Sequence, residues 1–468
     1  MARAPRAQAD VRARPTQGAS ARPRGPNARR RTELGLLVFG SLIVVATYVL
    51  ESIGTTSKIP PNMGPFLAIV LGLAVAAHIA NRIYAPDANP VLLPLVTLLN
   101  GLGYDMLARI DAHYARLQAA WTAVGILAYI LTLAWVRRSR DLDRYRYLLL
   151  LAAILLMLAP LVPHFGQNIN GARLWVQIGP VKGQPVELAK ILLCVFFASY
   201  FSEHQEMLSV PTARVGNRLV LDPRPLGPIL LAWGFAMLVL GAERDIGFAL
   251  LIFVLFISML WVTTGRWNYI LLGLVLFAIG AYAASHLFSQ VHVRVTEWLH
   301  PSTTGQLMYG LYGLGTGGLT GTGLGFGLIK TIPEVTTDYI FAGFGTELGL
   351  LGTTLIVFAF VLVVGSGLRI AQTARSDFAK LLAVGLTVIL GMQAFFIMAG
   401  IVRLLPLTGI TLPFMAYGGS SLVANYVLVA LLMRVSDEGE RAAIAAEATA
   451  TPISPQGGSP PPAFSPRG

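Results

Sequence analysis

From Leu34 onward the chain is a succession of apolar runs separated by short polar interruptions. The runs are continuous rather than alternating, and most reach the roughly 17–25 residues that a helix needs to cross a bilayer core. Twelve are read as spans: Leu34–Leu50, Met63–Ala80, Pro90–Leu107, Ala119–Val136, Tyr147–Val162, Val186–Tyr200, Gly227–Gly241, Ile246–Thr264, Tyr269–Phe288, Tyr339–Gly365, Leu381–Ile401 and Phe414–Met433. A membrane β-barrel, whose strands alternate apolar and polar positions, is excluded. The expected fold is an all-α polytopic membrane protein with about twelve transmembrane helices and one long loop, 289–338.

Composition agrees with the pattern. Of 468 residues, 55% are hydrophobic and only 12% charged, too few to clothe a soluble protein of this size. The single cysteine, Cys194, rules out a disulfide framework or a cysteine-based metal site.

Charge gives the chain an orientation. With the N-terminus in the cytoplasm and the spans alternating, 25 of the 35 Lys and Arg fall inside, as the positive-inside rule requires. Both termini are then cytoplasmic. Residues 1–32 carry nine Arg against one acid, Asp10, and read as a disordered tail that sets topology and touches anionic lipid, not as a nucleic-acid arm. No signal-peptide cleavage pattern precedes Leu34, so the first helix is expected to stay as an anchor. Residues 33–136 form N-terminal membrane helices, 137–434 a membrane core, and 435–468 a second disordered tail rich in Pro and Ser.

Seven of the ten outer cations, Arg173, Lys182, Lys190, Arg244, Arg294, Lys330 and Arg403, lie in or beside segments rich in Gly, Pro and acids. Cations held on the side that topology disfavours point to an anionic ligand such as a lipid phosphate or pyrophosphate. Pairing with Glu187, Asp245, Glu334 and Asp338 is the competing explanation.

Four outer stretches could carry chemistry. In "NGARLWVQIGPVKGQPVELAK" Arg173 and Trp175 alternate as on a short strand or loop, Gln184 precedes a helix start, and Glu187 and Lys190 are spaced to pair on that helix. In "GAERDIG" Asp245 opens a helix and reads first as its cap. The long loop holds Arg294 and Glu297, then nine Gly between Gly310 and Gly327, then Glu334 and Asp338. Its substring GLGTGG matches a dinucleotide pattern, but no strand or βαβ unit surrounds it, and a nucleotide fold is rejected. Finally "LLPLTGITLPFMAYGGSS", ending in Ser420 and Ser421, has the Pro and Gly of a helix broken beside a cavity. Glu347, within "PEVTTDYIFAGFGTELG", is an acid inside an apolar run, where a charge is costly.

The pieces "GARLWVQIG…QPVELAK", "ERDIG", "GTGGLTGTGLG", "IPEVTTDYIFAGFGTELGLLG" and "LLPLTGITLPFMAYGGSS" resemble, in order across roughly residues 142–434, the SEDS family of RodA/FtsW cell-wall polymerases. The resemblance implies a core of about ten helices, to which this chain adds an N-terminal pair, a looser likeness to actinobacterial RodA-like members. It implies a peptidoglycan glycosyltransferase of the plasma membrane that polymerises lipid II, with undecaprenyl pyrophosphate leaving. A class B penicillin-binding protein is the implied partner, and a divalent cation, Mg or Mn, could assist the leaving group. Arg173, Trp175, Gln184, Glu187, Lys190, Asp245, Arg294, Arg403, Ser420 and Ser421 are the expected substrate contacts.

The chain departs from the family where the resemblance would place its catalytic Asp. The family's Arg-x-x-x-Trp-Leu-x-Pro stretch is present as Arg294–Pro301, but "STTGQLMYG" follows, shorter and without an acid, and the usual Gly-Tyr-Gln is reduced to Gly305–Gln306. Three readings stay open. Glu297 acts as base from a shifted position, or Asp338 or Glu334 serves, or the chain is a non-catalytic scaffold of wall synthesis. Transport of a lipid-linked precursor is a further alternative.

Overall fold

The structure, a computed structural model, describes residues 26–58, 63–163, 165–169, 172–179, 181–209, 213–215, 218–220 and 227–450. Its helices are α1 Pro26–Thr56, α2 Met63–Tyr84, α3 Leu92–Ile110, α4 Ala112–Trp135, α5 Arg140–Arg144, α6 Arg146–Leu158, α7 Val186–Glu203 and α8 Gln205–Ser209. The second half adds α9 Gly227–Glu243, α10 Ile246–Thr264, α11 Trp267–Leu287, α12 Ser289–Leu299, α13 Gln306–Gly317, α14 Ile340–Thr373, α15 Asp377–Ile401 and α16 Gly419–Ala450. Each of the twelve expected spans falls on one of these.

Seven of the described helices (α1, α4, α10, α11, α14, α15 and α16) are long and apolar enough to cross a membrane unaided. Shorter apolar stretches lie on α2, α6 and α9. Several boundaries have local causes. Asp111 caps α4 by accepting from the His113 amide at 2.8 Å, and Ser376 caps α15 by accepting from Ala379 at 3.1 Å. Gly265, with φ of 66°, ends α10 in the left-handed conformation.

The structure differs from the sequence reading in three places. Helix α1 starts at Pro26, inside the expected tail, and α16 continues to Ala450, past the expected end at 434; residues 1–25 and 451–468 lie outside the described residues. The fold is not helix alone. An antiparallel sheet of β1 Gly166–Ile169, β2 Ala172–Ile178 and β3 Val181–Gly183 precedes α7, and a hairpin of β4 Ala213–Val215 and β5 Arg218–Val220 follows α8. The segment 289–338 is folded, not a plain loop: it holds α12, α13 and a 3-10 turn at Ile329–Thr331. The GLGTGG substring lies at the end of α13, with no strand before it.

Polar contacts assign the helix ends to two faces. On one, Arg29 donates to Glu440 at 2.6 Å and to the Asp87 carbonyl at 2.7 Å, and Arg434 donates to the carbonyls of Leu133, Val136 and Tyr84. Glu438 accepts from the amide and hydroxyl of Ser139, both at 2.6 Å. The start of α1, the α2–α3 turn, the end of α4 and the second half of α16 therefore meet.

On the opposite face Arg109, in the last turn of α3, donates to Gly325 O at 2.9 Å and stands 3.4 Å from Glu347, which accepts from the Gly325 amide at 3.2 Å. This answers the puzzle of an acid in an apolar run. Glu347 is 1% exposed, paired with Arg109, and ties the glycine segment to α14. Gly325 is required twice, since its φ is 82° and a Cβ there would sit 2.6 Å from the Glu51 carbonyl of α1. Two residues after Glu347, Gly349 leaves helical geometry and kinks α14.

Candidate functional site

The site gathers on the face that carries the glycine segment. Helix α7 brings Glu187 and Lys190 in its first turns, packed by α6, α10 and α15 so closely that both are buried. A buried ammonium must be paired and hydrogen-bonded. Lys190 meets both needs: its Nζ contacts the Glu187 carboxylate, donates to Gln393 Oε1 of α15 at 2.8 Å, and stands 5.6 Å from the centre of the Phe248 ring. The pairing expected from the spacing is present.

Phe248 leads to the next group. Its amide donates to Asp245 Oδ1 at 3.0 Å, so Asp245 is the N-cap of α10. Its other oxygen is buried with no hydrogen-bond partner among the described residues, as are Thr408 Oγ1 and Gln393 Nε2. Gly247 packs against the segment that follows α15: a Cβ there would lie 2.6 Å from the Thr408 carbonyl. Orphaned polar atoms on neighbouring elements mark a place where a polar ligand or water is wanted.

Arg294 of α12 closes the group. One of its nitrogens donates to Thr408 O at 2.8 Å, and the guanidinium lies over Gly409. Gly409 has φ of 74°, and a Cβ there would stand 3.1 Å from the guanidinium, so only glycine leaves the turn unstrained and the arginine in place. Arg294 acts electrostatically on both Asp245 and Asp338.

The two carboxyls have similar environments. Burial pushes Asp338 up to about 6, with Arg294 pulling the other way and Glu334 adding to the rise. Burial likewise raises Asp245 to about 6, against the Phe248 amide and Arg294. Both are poised near neutrality, as a general base or a proton-sharing pair must be. Asp338 is half-buried and is the more accessible.

Glu187, Lys190, Asp245, Arg294 and Asp338 are thus brought together. Glu297 is exposed one turn further along α12 and acts on Tyr339, the neighbour of Asp338. Glu334 is exposed, in the left-handed region at φ of 51°, and its carbonyl accepts from the Thr337 and Tyr339 amides. Thr336 O accepts from the Tyr417 amide at 2.8 Å, fixing this turn against the start of α16.

The remaining expected residues have other surroundings. Arg173 lies exposed on β2 with Trp175 half-buried beside it, on the strand that the alternation allowed. The Gln184 amide donates to Ser420 Oγ at 3.1 Å, and Ser421 accepts from Asn425 at 3.4 Å, so both serines hold local structure. Arg403 donates to the carbonyls of Trp298 and Leu299, both at 2.9 Å, and clamps the end of α12.

Gln393 and Thr408 were not singled out from sequence. Gln393 had a signal, being the one amide in the apolar run Leu381–Ile401. Thr408 had none. Among the described residues no group of three or more His, Cys, Asp or Glu could hold a metal ion. The described residues around Asp245 and Asp338 therefore offer Mg or Mn no ready-made cage, and the cations beside them are Lys190 and Arg294.

Comparison with known proteins gives a consistent result. Residues 89–441 match the profile of the FtsW/RodA/SpoVE family, described as "Cell cycle protein". The chain is 38% identical over 429 residues to "Peptidoglycan glycosyltransferase RodA" of Mycobacterium tuberculosis, covering 88% of this chain and 92% of that one. It is 33% identical over 296 residues to "Probable peptidoglycan glycosyltransferase FtsW" of a Geobacter species, covering 62% and 77%. Among solved structures, one titled "Structural coordination of polymerization and crosslinking by a peptidoglycan synthase complex" superposes with TM-score 0.62 at 25% identity, over 75% of this chain and 98% of that one. The rod-shape-determining protein RodA of Thermus thermophilus shares the fold, with TM-score 0.56 at 24% identity over 75% and 96%. A profile matched over most of the chain, and relatives matched over nearly their full length, place this polytopic membrane protein in the FtsW/RodA/SpoVE family.

Proposed function

We infer that the chain is a peptidoglycan glycosyltransferase that polymerises lipid II at the outer face of the plasma membrane, both termini being cytoplasmic. The observation that carries this reading is Arg294, held on the Thr408 carbonyl, with its charge acting on both Asp338 and Asp245, the latter capping α10 at Phe248, whose ring faces buried Lys190. Glycosyl transfer from a diphosphate needs a base for the incoming hydroxyl and fixed positive charge for the leaving group. Asp338 takes the proton of the 4-hydroxyl of the acceptor disaccharide. That oxygen bonds to the anomeric carbon of the growing chain. The anomeric carbon–oxygen bond breaks, and its electron pair leaves on undecaprenyl pyrophosphate, opposite Arg294. Asp245 shares the field of Arg294 and helps hold that guanidinium where the diphosphate leaves.

Glu297 and Glu334 are the accessory carboxylates of this proposal, on the same face but exposed. Arg173 and Trp175 are assigned to the approaching glycan, and Gln184, Ser420 and Ser421 to the rim. A divalent cation is assigned to the diphosphate alone, since no cluster of three or more His, Cys, Asp or Glu that could hold it is found among the described residues. A class B penicillin-binding protein is the proposed partner, supported by the likeness to the subunit of a solved synthase complex. Purified protein given lipid II should yield glycan strands on a gel, and Asp338→Asn should abolish them.

One observation favours a second reading, a scaffold of wall synthesis: the absence of any acid between Pro301 and Tyr309. A variant that is inert with lipid II yet complements growth would select it.

A further inference from the structure

A second charged cluster lies on the opposite face, where the proposed chemistry does not use it. Between α4 and α6 the chain reads "WVRRSRDLDRYRY", Trp135 to Tyr147, with five Arg in the ten residues 137–146. Arg146 is committed to Glu203. Arg137, Arg138, Arg140 and Arg144 are all exposed, and none has an ion pair or side-chain hydrogen bond among the described residues. Arg144 stands 6.0 Å from the centre of the Tyr145 ring.

Arg144 and the committed Arg146 line a cavity of about 460 Å³, together with Asp143, Tyr147, Ser202 and Glu203; Arg137, Arg138 and Arg140 stand just before it in the chain. Its two acids are already occupied, Glu203 by Arg146 and Asp143 by the Ser199 hydroxyl at 2.5 Å. Of the other acids in this region, Glu438 is held by Ser139, and Asp141 and Glu206 are exposed, two acids against the four unpaired arginines. The unspent charge of the cluster is therefore positive.

The surroundings place it at a bilayer's edge. Trp135 closes membrane-crossing α4, and Tyr145 and Tyr147 open α6, all three exposed, as aromatic rings at headgroup level are. Below Tyr147, exposed Leu148, Leu151 and Leu155 share one stripe of α6, running from the cavity into the apolar zone. We propose that this cleft binds an anionic phospholipid, its phosphate among Arg138, Arg140 and Arg144 and its acyl chains along the leucine stripe. The positive-inside rule accounts for arginines here but for neither the cavity nor the stripe. A free phosphate would share the arginines and ignore the leucines. The inference rests on membrane insertion alone and is independent of the glycosyltransferase reading.

The test uses full-length protein, delipidated in detergent and examined by native mass spectrometry. Phosphatidylglycerol should be retained at least about tenfold better than phosphatidylcholine, and a large excess of inorganic phosphate should not displace it. The triple variant Arg138→Gln, Arg140→Gln, Arg144→Gln should lose that preference. A control triple on the same face, Arg369→Gln, Arg375→Gln, Lys380→Gln, should keep it. Single Arg144→Gln, with a gel-filtration profile matching the parent, should weaken retention should the triple not fold. Equal retention of the two lipids, equal loss in the control triple, displacement by phosphate, or unchanged retention in a folded Arg144→Gln would each overturn the proposal.

Discussion

Arg403 and Trp298 hold each other's backbone: Arg403 Nε donates to the Trp298 carbonyl at 2.9 Å, and Trp298 Nε1 donates to the Arg403 carbonyl at 3.1 Å. The clasp fixes the end of α12, the helix that carries Arg294 and Glu297, to the turn that carries Thr408. Arg403 adopts φ of 61° to make it, a conformation that a non-glycine residue keeps only when its surroundings hold it there.

We propose that Arg403, expected from the sequence to be a substrate contact, acts as a positioning residue through this clasp. Arg403→Ala is predicted to lower kcat about tenfold, roughly 1.4 kcal/mol of barrier, with a smaller change in KM. Arg403→Lys should recover only part, because an ammonium lacks the planar fork that reaches two carbonyls. A rise in KM with unchanged kcat would instead make Arg403 a substrate contact.

Asp338, raised to about 6 chiefly by burial, sets a pH dependence. A base works only when deprotonated, so the rate should be nearly full at pH 7.5 and fall as pH drops through about 6. Asp338→Asn should lose about 10²-fold or more and show no such limb. A limb that survives in Asp338→Asn would move the base to Asp245, which titrates in the same range.

Lys190 and Glu187 test the buried pair. Removing one partner strands a charge in the protein interior, and Lys190→Met should cost about 3–5 kcal/mol of stability. Replacing both, with Glu187→Gln and Lys190→Met, should recover most of that stability but not activity. Thermal unfolding in detergent, run beside lipid II turnover, separates the two effects. Activity in a stable double variant would reduce the pair to a structural bolt.

Helix α1 lies outside the family profile, yet it seats the glycine segment. A Cβ on Gly54 would stand 2.2 Å from the Leu324 carbonyl, and one on Gly325 2.6 Å from the Glu51 carbonyl. Gly325→Ala is predicted to destabilise by about 1–3 kcal/mol through its positive φ and this contact. Gly315→Ala, with ordinary φ and nothing within 4 Å, should cost little. Equal losses would show that α1 and the glycine segment are not packed as described.

The spans were legible because bilayer length and continuous apolarity leave a helix little freedom, and Ile246–Thr264 was bounded to the residue by Asp245 and Gly265. Glu187 with Lys190, and Asp245 as a cap, were readable from local spacing. Helix α13 was not, because glycine-dense sequence has little propensity of its own and takes its form from tertiary packing; α12 holds no glycine but is short and rich in β-branched Val and Thr, which favour helix weakly. Thr408 could not be found, since its part rests on a backbone carbonyl that any residue carries. The reach of Arg109 from α3 to Glu347 was hidden by more than 200 residues of separation.

The central claim is that Asp338, under Arg294, is the base of a lipid II polymerase. It is tested most directly by gel analysis of glycan strands made from lipid II by the purified protein in liposomes, at pH 7.5. Long strands from the parent protein and none from a folded Asp338→Asn variant is the predicted result. Strands of equal length and yield from that variant would contradict it.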